Sequence, residues 1–389
     1  MERDHADRRF GKCQIMWAVG VLVLIATQSL AIYVPQRLDG LSVSLADIVD
    51  QVNNNVTSTW QARHNFHPDT PVSYLSSLAG TRPLDESDED HLEFIEQIKQ
   101  NRAEYEANSK QDRVEANSSE DDDLETMGCQ NAKGLPRNFD AREKWPECPS
   151  LRHIADQSNC GSCWAVSVAN AISDRLCIAS NGYFTGQISA QHIVACTPNC
   201  WGCNGGWPQL AWRFWGHNGV VTGGDYNSQE GCQPYTLAPC EHHVQGPLQN
   251  CTLLGKLKTP ECKQNCYNPS YESTYRFDLK KGKKAHMVPR CNAMRQIYEH
   301  GPLVAIFSVY ADFLQYKSGV YQHNFGDSIG LHAVRVLGWG VENDIPYWLV
   351  ANSWNDHWGD HGTFKILRGE NEADVEMGFN VGYPQFLQV

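Results

Sequence analysis

A side-chain amide stands six residues before a cysteine in Gln157-Ser158-Asn159-Cys160-Gly161-Ser162-Cys163-Trp164, and that cysteine opens a stretch whose apolar residues Ala165, Val168, Ile172 and Leu176 recur at helical spacing. The spacing predicts a helix starting at Cys163 with Ser162 as its cap. A sulfur at that end of the helix dipole is favoured as thiolate. The Gln157 amide and the Cys163 backbone N–H can then donate to the oxyanion formed when the sulfur attacks a carbonyl. The rival reading is a disulfide cysteine or half of a zinc pair.

A thiol nucleophile needs a base and a group that holds the base. Gly330-Leu331-His332-Ala333-Val334-Arg335-Val336-Leu337-Gly338-Trp339-Gly340 puts a histidine on an alternating strand, and Ala351-Asn352-Ser353-Trp354 follows a turn at Asn343-Asp344. Paired as a hairpin, these strands bring Asn352 beside His332, with Trp354 shielding their hydrogen bond from water. One histidine among 15 says little, since most are surface or satisfied core residues. With Cys163 and Asn352 in consistent order it reads as a base.

Fifteen cysteines point to an oxidising compartment, and 389 residues are too many for one ordinary small domain. Of the net charge of −13, residues 84–125 alone contribute −12, with 16 Asp and Glu against 4 Lys and Arg. The rest is nearly neutral, which excludes a nucleic-acid partner, and the acidic run reads as a solvated linker. At the N-terminus, Arg8, Arg9 and Lys12 precede an apolar stretch from Ile15, and Ser29 and Ala31 fit a cleavage site. Residues 1–31 therefore read as a signal peptide and no stable membrane span is expected, the rival being a signal anchor over residues 15–34. Sequons stand at Asn55, Asn117 and Asn250.

Further motifs join the first: Cys203-Asn204-Gly205-Gly206, Trp212-Arg213-Phe214-Trp215, Ser308-Val309-Tyr310, Tyr316-Lys317-Ser318-Gly319-Val320-Tyr321 and Tyr347-Trp348-Leu349-Val350-Ala351-Asn352-Ser353-Trp354. On these the chain resembles the papain-family cysteine proteases, in particular their cathepsin B-like branch. The likeness runs from residue 135 to the C-terminus, and Thr59-Trp60-Gln61-Ala62-Arg63-His64-Asn65-Phe66 resembles the family's propeptide. It implies an α+β, papain-like two-lobed fold with an N-terminal propeptide. A helical left lobe carries Cys163, and a β-barrel-like right lobe carries His332 and Asn352. Residues 32–134 become the propeptide, with a short helix near residues 45–50, lying backwards along the cleft and loosened by acid. Residues 135–389 become the mature peptidase. Gly205 and Gly206 would pair with substrate backbone, and Trp354 would line the site. Trp207 would line the S3 side or simply pack. No metal or organic cofactor is implied. The implied partners are protein and peptide substrates, the chain's own propeptide and cystatin-type inhibitors, and the implied destination is the secretory pathway, ending in a lysosome or outside the cell.

His332 lies 169 residues after Cys163, beyond the roughly 130–150 usual for papain-like enzymes, so an insertion is implied. It is best placed at residues 232–266, which resemble the occluding loop of this branch. There His242 and His243 would hold a substrate's C-terminal carboxylate and direct dipeptide release, the rival being an exposed polar pair. Endopeptidase activity would rise toward neutrality as His242 loses its proton. By the same resemblance His242 and Asp156 keep one of the branch's two loop ion pairs. The other falls on Leu248 and His357, which cannot form it, so His242–Asp156 is the expected main latch. Gly378 aligns with an S2 glutamate, shifting S2 from arginine toward leucine, valine or phenylalanine unless Glu376 reaches the pocket. The resemblance also implies the disulfides Cys148–Cys177, Cys160–Cys203, Cys196–Cys262, Cys232–Cys266 and Cys240–Cys251. Cys200 and Cys291 remain and are expected to pair. Two other classes stay open: a zinc module built on Cys160, Cys163, Cys200 and Cys203, and a catalytically silent relative acting by binding.

Overall fold

The computed structural model describes residues 41–115, 132–242, 246–255 and 257–386. The expected leader, Asn117 and His243 lie outside these residues. Among the described residues no helix is long and apolar enough to cross a membrane.

Ser44 caps α1 (Leu45–Asn54) by accepting from the Asp47 amide at 3.1 Å. Leu45, Ile48, Val49 and Val52 bury one face of it at helical spacing. β1 (Trp60–Ala62) then joins the edge of the large sheet, antiparallel to the strand Tyr316–Tyr321. The Trp60 ring stacks on Tyr316, and its indole N–H donates to the Gln322 carbonyl at 2.8 Å. α2 (Val72–Leu78) leads the chain toward Cys163.

The acidic run corrects an expectation. Over Glu89–Glu115 it is not a solvated linker but a 27-residue helix, α3. Glu89 and Asp90 lie in its first turn, where the helix dipole favours them. Phe94 and Ile95 are buried, and Phe94 packs with Trp207, Leu210 and Met287. This short apolar stripe holds a helix whose composition is otherwise that of a solvated chain.

The helical lobe follows β2 (Phe139–Asp140) and α4 (Ala141–Lys144). It comprises α5 (Cys163–Ala179), α6 (Ala190–Cys196) and α7 (Pro208–His217), with a small sheet of β3 (Gln187–Ile188) and β4 (Thr222–Gly223). α5 is buried nearly all round, around Trp164, Ile172 and Leu176. α8 (Tyr275–Asp278) and α9 (Arg290–His300) flank β5 (Lys281–Met287). The sheet lobe adds β6 (Leu303–Tyr310), β7 (Tyr316–Tyr321), β8 (Ser328–Glu342), β9 (Ile345–Ala351), β10 (Thr363–Leu367) and β11 (Asn380–Gln385). Strand order is β1-β7-β10-β9-β8-β6-β11-β5, with β2 paired to β8 off that path. β8 and β9 form the expected hairpin, turning through Asn343 and Asp344 with positive φ at both.

One buried ion pair joins the lobes. Arg335 of β8 donates to Asp174 of α5 at 2.8 Å, and their side chains are only 2% and 0% exposed. Arg335 also donates to the carbonyls of Ser150 and His153. Burial raises the Asp174 pKa above the usual carboxylate range, against the opposing pull of Arg335.

The structure contains the disulfides Cys148–Cys177, Cys160–Cys203, Cys196–Cys262, Cys232–Cys266 and Cys240–Cys251. The expected Cys200–Cys291 bridge is absent. Cys291 is disulfide-bonded while the Cys200 thiol is free. Cys200 instead packs beside the Phe94–Trp207 cluster as a small hydrophobe, and burial pushes its pKa up to about 12. With Cys160 bonded to Cys203, the four-cysteine zinc module is also excluded.

Arg335→Ala leaves the Asp174 carboxylate buried without its partner and should cost about 3–5 kcal/mol. Denaturant unfolding of the full chain, in a Cys163→Ala background that prevents self-cleavage, measures this; a loss under about 1 kcal/mol would contradict it.

Candidate active site

Cys163 opens α5 with its sulfur fully buried. Ser162 occupies the cap position but makes no side-chain cap bond; its hydroxyl is 2.9 Å from that of Tyr235. His332 projects from β8, and its Nε2–H donates to Asn352 Oδ1 at 2.8 Å. The same oxygen accepts from the Ser353 amide, which fixes the orientation of the Asn352 side chain. Trp354 stacks on the His332 ring at 4.9 Å and keeps water from the His332–Asn352 bond. Fixing the proton on Nε2 leaves Nδ1, which is buried without a hydrogen-bond partner, as the basic nitrogen. For Cys163, burial raises the pKa, but the nearby His332 charge, aided by contacts with the Ala333 backbone and the Thr81 hydroxyl, outweighs it, and the net direction is down. The arrangement can hold a reactive sulfur beside an oriented imidazole.

Gln157 is fully buried, and Ser353 Oγ donates to its Oε1 at 2.7 Å. This turns Nε2 outward, where it donates to the carbonyls of Cys160 at 2.9 Å and Leu78 at 3.0 Å. Leu78 ends α2, so a prosegment carbonyl sits on the donor assigned to the oxyanion. The role of Ser353 was not read from the sequence, although it directly follows Asn352.

The N-terminal segment fills the cleft from end to end. Phe66 packs edge-on against Trp354 at 6.1 Å, and the Tyr74 hydroxyl is 2.7 Å from His242 Nδ1. Thr81 Oγ1 lies 3.5 Å from Cys163 Sγ, and the Thr81 amide donates to Leu331 O at 3.0 Å. The Gly206 amide donates to Gly80 O and its carbonyl accepts from Arg82 N, both at 3.0 Å, in a parallel bridge. Arg82 and Pro83 then reach Asn204 and Trp207. Gly80 makes this approach possible, because a Cβ there would lie 2.1 Å from the Gly161 carbonyl oxygen. Gly205, with φ of +108°, lies beneath the same backbone. Trp207 is 5% exposed and covered by this segment and α3.

The loop is latched differently from expectation. His242 Nε2 is 3.8 Å from Asp156 Oδ1. Asp156 also accepts from the amides of Ser158 and Cys240 and from Asn355 Nδ2. His357 is not without an acid: its Nδ1 lies 2.8 Å from Oε1 of Glu241. The backbone N–H of Leu248 donates to that same oxygen at 3.3 Å. His242–Asp156 is therefore not the sole latch, since a carboxylate within the loop takes up His357. Cys240, His242 and Cys251 cluster closely enough to ligate a metal, but the two sulfurs are bonded to each other.

At Gly378 a Cβ would meet the Ile306 carbonyl oxygen at 2.3 Å, so an acid cannot enter without moving β6. Glu376 does not substitute for it. Fully buried, it accepts from Trp348 Nε1, the Gly369 amide and the Asn371 amide, and it lies 3.8 Å from Arg290. Of the sequons, Asn250 is exposed and Asn55 half-buried, and each side chain accepts from the threonine two residues on.

Residues 135–383 match the papain family cysteine proteases, and residues 46–85 match the peptidase family C1 propeptide. The chain is 46% identical over 258 residues to cathepsin B-like cysteine proteinase 4 of Caenorhabditis elegans, covering 66% of this chain and 77% of that protein. It is 45% identical over 246 residues to a cathepsin B-like cysteine proteinase of Schistosoma japonicum, covering 62% and 71%. Its structure is similar to proCathepsin B S9 from Trypanosoma congolense, with a TM-score of 0.64, 32% identity and coverage of 88% and 99%. Digestive procathepsin L2 of Tenebrio molitor, at 21% identity, TM-score 0.57 and coverage of 88% and 90%, shares the fold. The chain belongs to the papain family and is a cathepsin B-like, cysteine-type peptidase that carries its own propeptide.

Proposed function

We propose that the peptidase is released as residues 135–389 and hydrolyses peptide bonds through Cys163, His332 and Asn352, with Gln157 as oxyanion donor. The observation that carries this reading is the Leu78 carbonyl on Gln157 Nε2, a peptide group held where a reacting carbonyl must sit. The Cys163 thiolate attacks the carbonyl carbon, and the displaced electron pair settles on oxygen facing Gln157 Nε2 and the Cys163 N–H. His332, protonated at Nδ1, gives that proton to the leaving amine as the C–N bond breaks. Water then adds to the thioester and passes a proton back to Nδ1. The C–S bond breaks, releasing the acid and restoring the thiolate.

The prosegment escapes this chemistry by its direction. Its N-terminal side lies at the His242 end and its C-terminal side at Gly206, opposite to a substrate whose C-terminal carboxylate meets the loop. Acid weakens its hold. The Ser42 hydroxyl and amide keep the Asp327 pKa below the usual carboxylate range, so that contact is intact above that range and lost as pH falls through the lowered value.

The Tyr74 hydroxyl on His242 Nδ1 supports a dipeptidyl carboxypeptidase, since the loop already binds an oxygen where a terminal carboxylate would lie. His243 would complete the pair. Endopeptidase activity would follow loop opening against the contacts of His242 with Asp156 and His357 with Glu241. The disulfides named above, together with a bonded Cys291, support a route through the secretory pathway to a lysosome or the exterior.

Cys163→Ala should abolish self-processing and peptidase activity, and Gln157→Ala should lower kcat about a hundredfold with the fold intact. Retained turnover in either variant contradicts the assigned roles. A peptide-library digest read by mass spectrometry should show dipeptides leaving free C-termini and phenylalanine preferred over arginine at P2 by roughly tenfold. His357→Ala should raise cleavage of C-terminally blocked peptides relative to dipeptide release, and an unchanged ratio would mean that the Glu241 contact does not gate the loop.

Gly80→Ala tests the plug. It should expose Cys163 in the full-length chain to a small alkylating reagent at neutral pH while Cys200, with its pKa near 12, stays unlabelled. Wild-type-like protection of Cys163 would show that the close approach to Gly161 is dispensable.

A further inference from the structure

The surface beneath α3 begins where the cleft ends, at Trp207, and is built around donors that α3 satisfies. Among the described residues, each polar partner of the Arg213 side chain belongs to α3: Nη1 donates to Asp90 Oδ1 and Asp90 O, both at 3.1 Å, and Nη2 to Glu93 Oε2 at 3.3 Å. Its guanidinium also lies 4.7 Å from the Phe94 ring centroid. Asn199 Nδ2 donates to Asp90 Oδ2 at 2.7 Å, and the Met287 backbone N–H donates to Gln97 Oε1 at 2.7 Å. Between these polar points Trp207, Leu210 and Met287 receive Phe94 and Ile98. The His91 ring lies 4.4 Å from that of Trp207. The matching positions on α3 are therefore an acid pair at 90 and 93, an aromatic at 94, an amide at 97 and an apolar residue at 98, all on one helical face.

If α3 departs with the prosegment, which rests on the boundary proposed above, the peptidase is left with a cationic side chain, an amide and a main-chain N–H around an apolar patch. Such donors are satisfied in folded proteins, and apolar patches bounded by them mark interaction sites. We propose that Asn199, Trp207, Leu210, Arg213 and Met287 form an exosite that binds acidic amphipathic helices of other proteins, with α3 as its built-in occupant. The recognised pattern is two carboxylates three residues apart followed directly by an aromatic. Proteins carrying it would be held beside the cleft independently of the residues that enter S1 and S2.

The test uses the activated enzyme and two fluorescent helical probes. The first has the sequence of residues 84–107, linked between exposed positions 96 and 100 to hold it helical. The second is an unrelated helix that keeps only the residues found at 90, 93, 94, 97 and 98. Both should bind saturably, more weakly as salt rises, and Arg213→Ala should weaken each by about tenfold, having lost a charged contact and a cation–π contact. No binding of the first probe, or binding indifferent to Arg213, overturns the exosite. Binding of the first alone overturns the recognition of other proteins and leaves only a prosegment anchor. Titration of the reactive Cys163 thiol in the same samples separates these failures from failure of the assigned peptidase chemistry.

Discussion

The arrangement of the site depends on Arg335 and Asp174 meeting across the two lobes. Arg335 stands three residues after His332 on β8, and Asp174 lies three turns into the helix that Cys163 opens. A desolvated pair of this kind adds little net stability compared with apolar packing of equal volume, but it is costly to break and has one good geometry. It therefore sets the relative position of β8 and α5. The imidazole and the sulfur, which come from different lobes, inherit that register, while Trp354 and Asn352 fix the imidazole locally.

The groups that would read a substrate are the same ones that hold the prosegment. Gln157 is satisfied by Leu78, Gly206 by Gly80 and Arg82, and His242 by Tyr74. Inhibition thus needs no separate machinery in the cleft; it needs a chain of opposite direction, and a glycine that lets its backbone descend onto Gly161. The geometry of the site is that of a bound peptide whose direction is opposite to that of the proposed substrate.

Much of this was legible in the sequence because its causes are local. The helix at Cys163 follows from apolar spacing, and the His332–Asn352 contact follows from a hairpin whose turn residues tolerate positive φ. What escaped was non-local. Glu241 reaches His357 only after the Cys240–Cys251 ring has brought the loop back on itself, and nothing in the spacing of either residue announces the contact. α3 escaped because mean polarity conceals Phe94 and Ile98, whose apolar side chains matter only opposite Trp207 and Met287. Cys200 escaped for a related reason: pairing depends on distance, and a leftover thiol is as well placed in an apolar cluster as in a bridge.

The cleft segment around Gly80 is suspended between two holdings, β1 on the edge of the sheet and α3 on the helical lobe. Tethered in this way, a segment that lifts from Cys163 faces its site again at an effective concentration in the millimolar range, set by the short connections on either side. Weak contacts in the cleft itself then suffice for tight occupancy. A single cut on one side converts a bivalent ligand into a monovalent one, so the first nick in the chain, rather than the last, is the event that determines how long the zymogen stays silent.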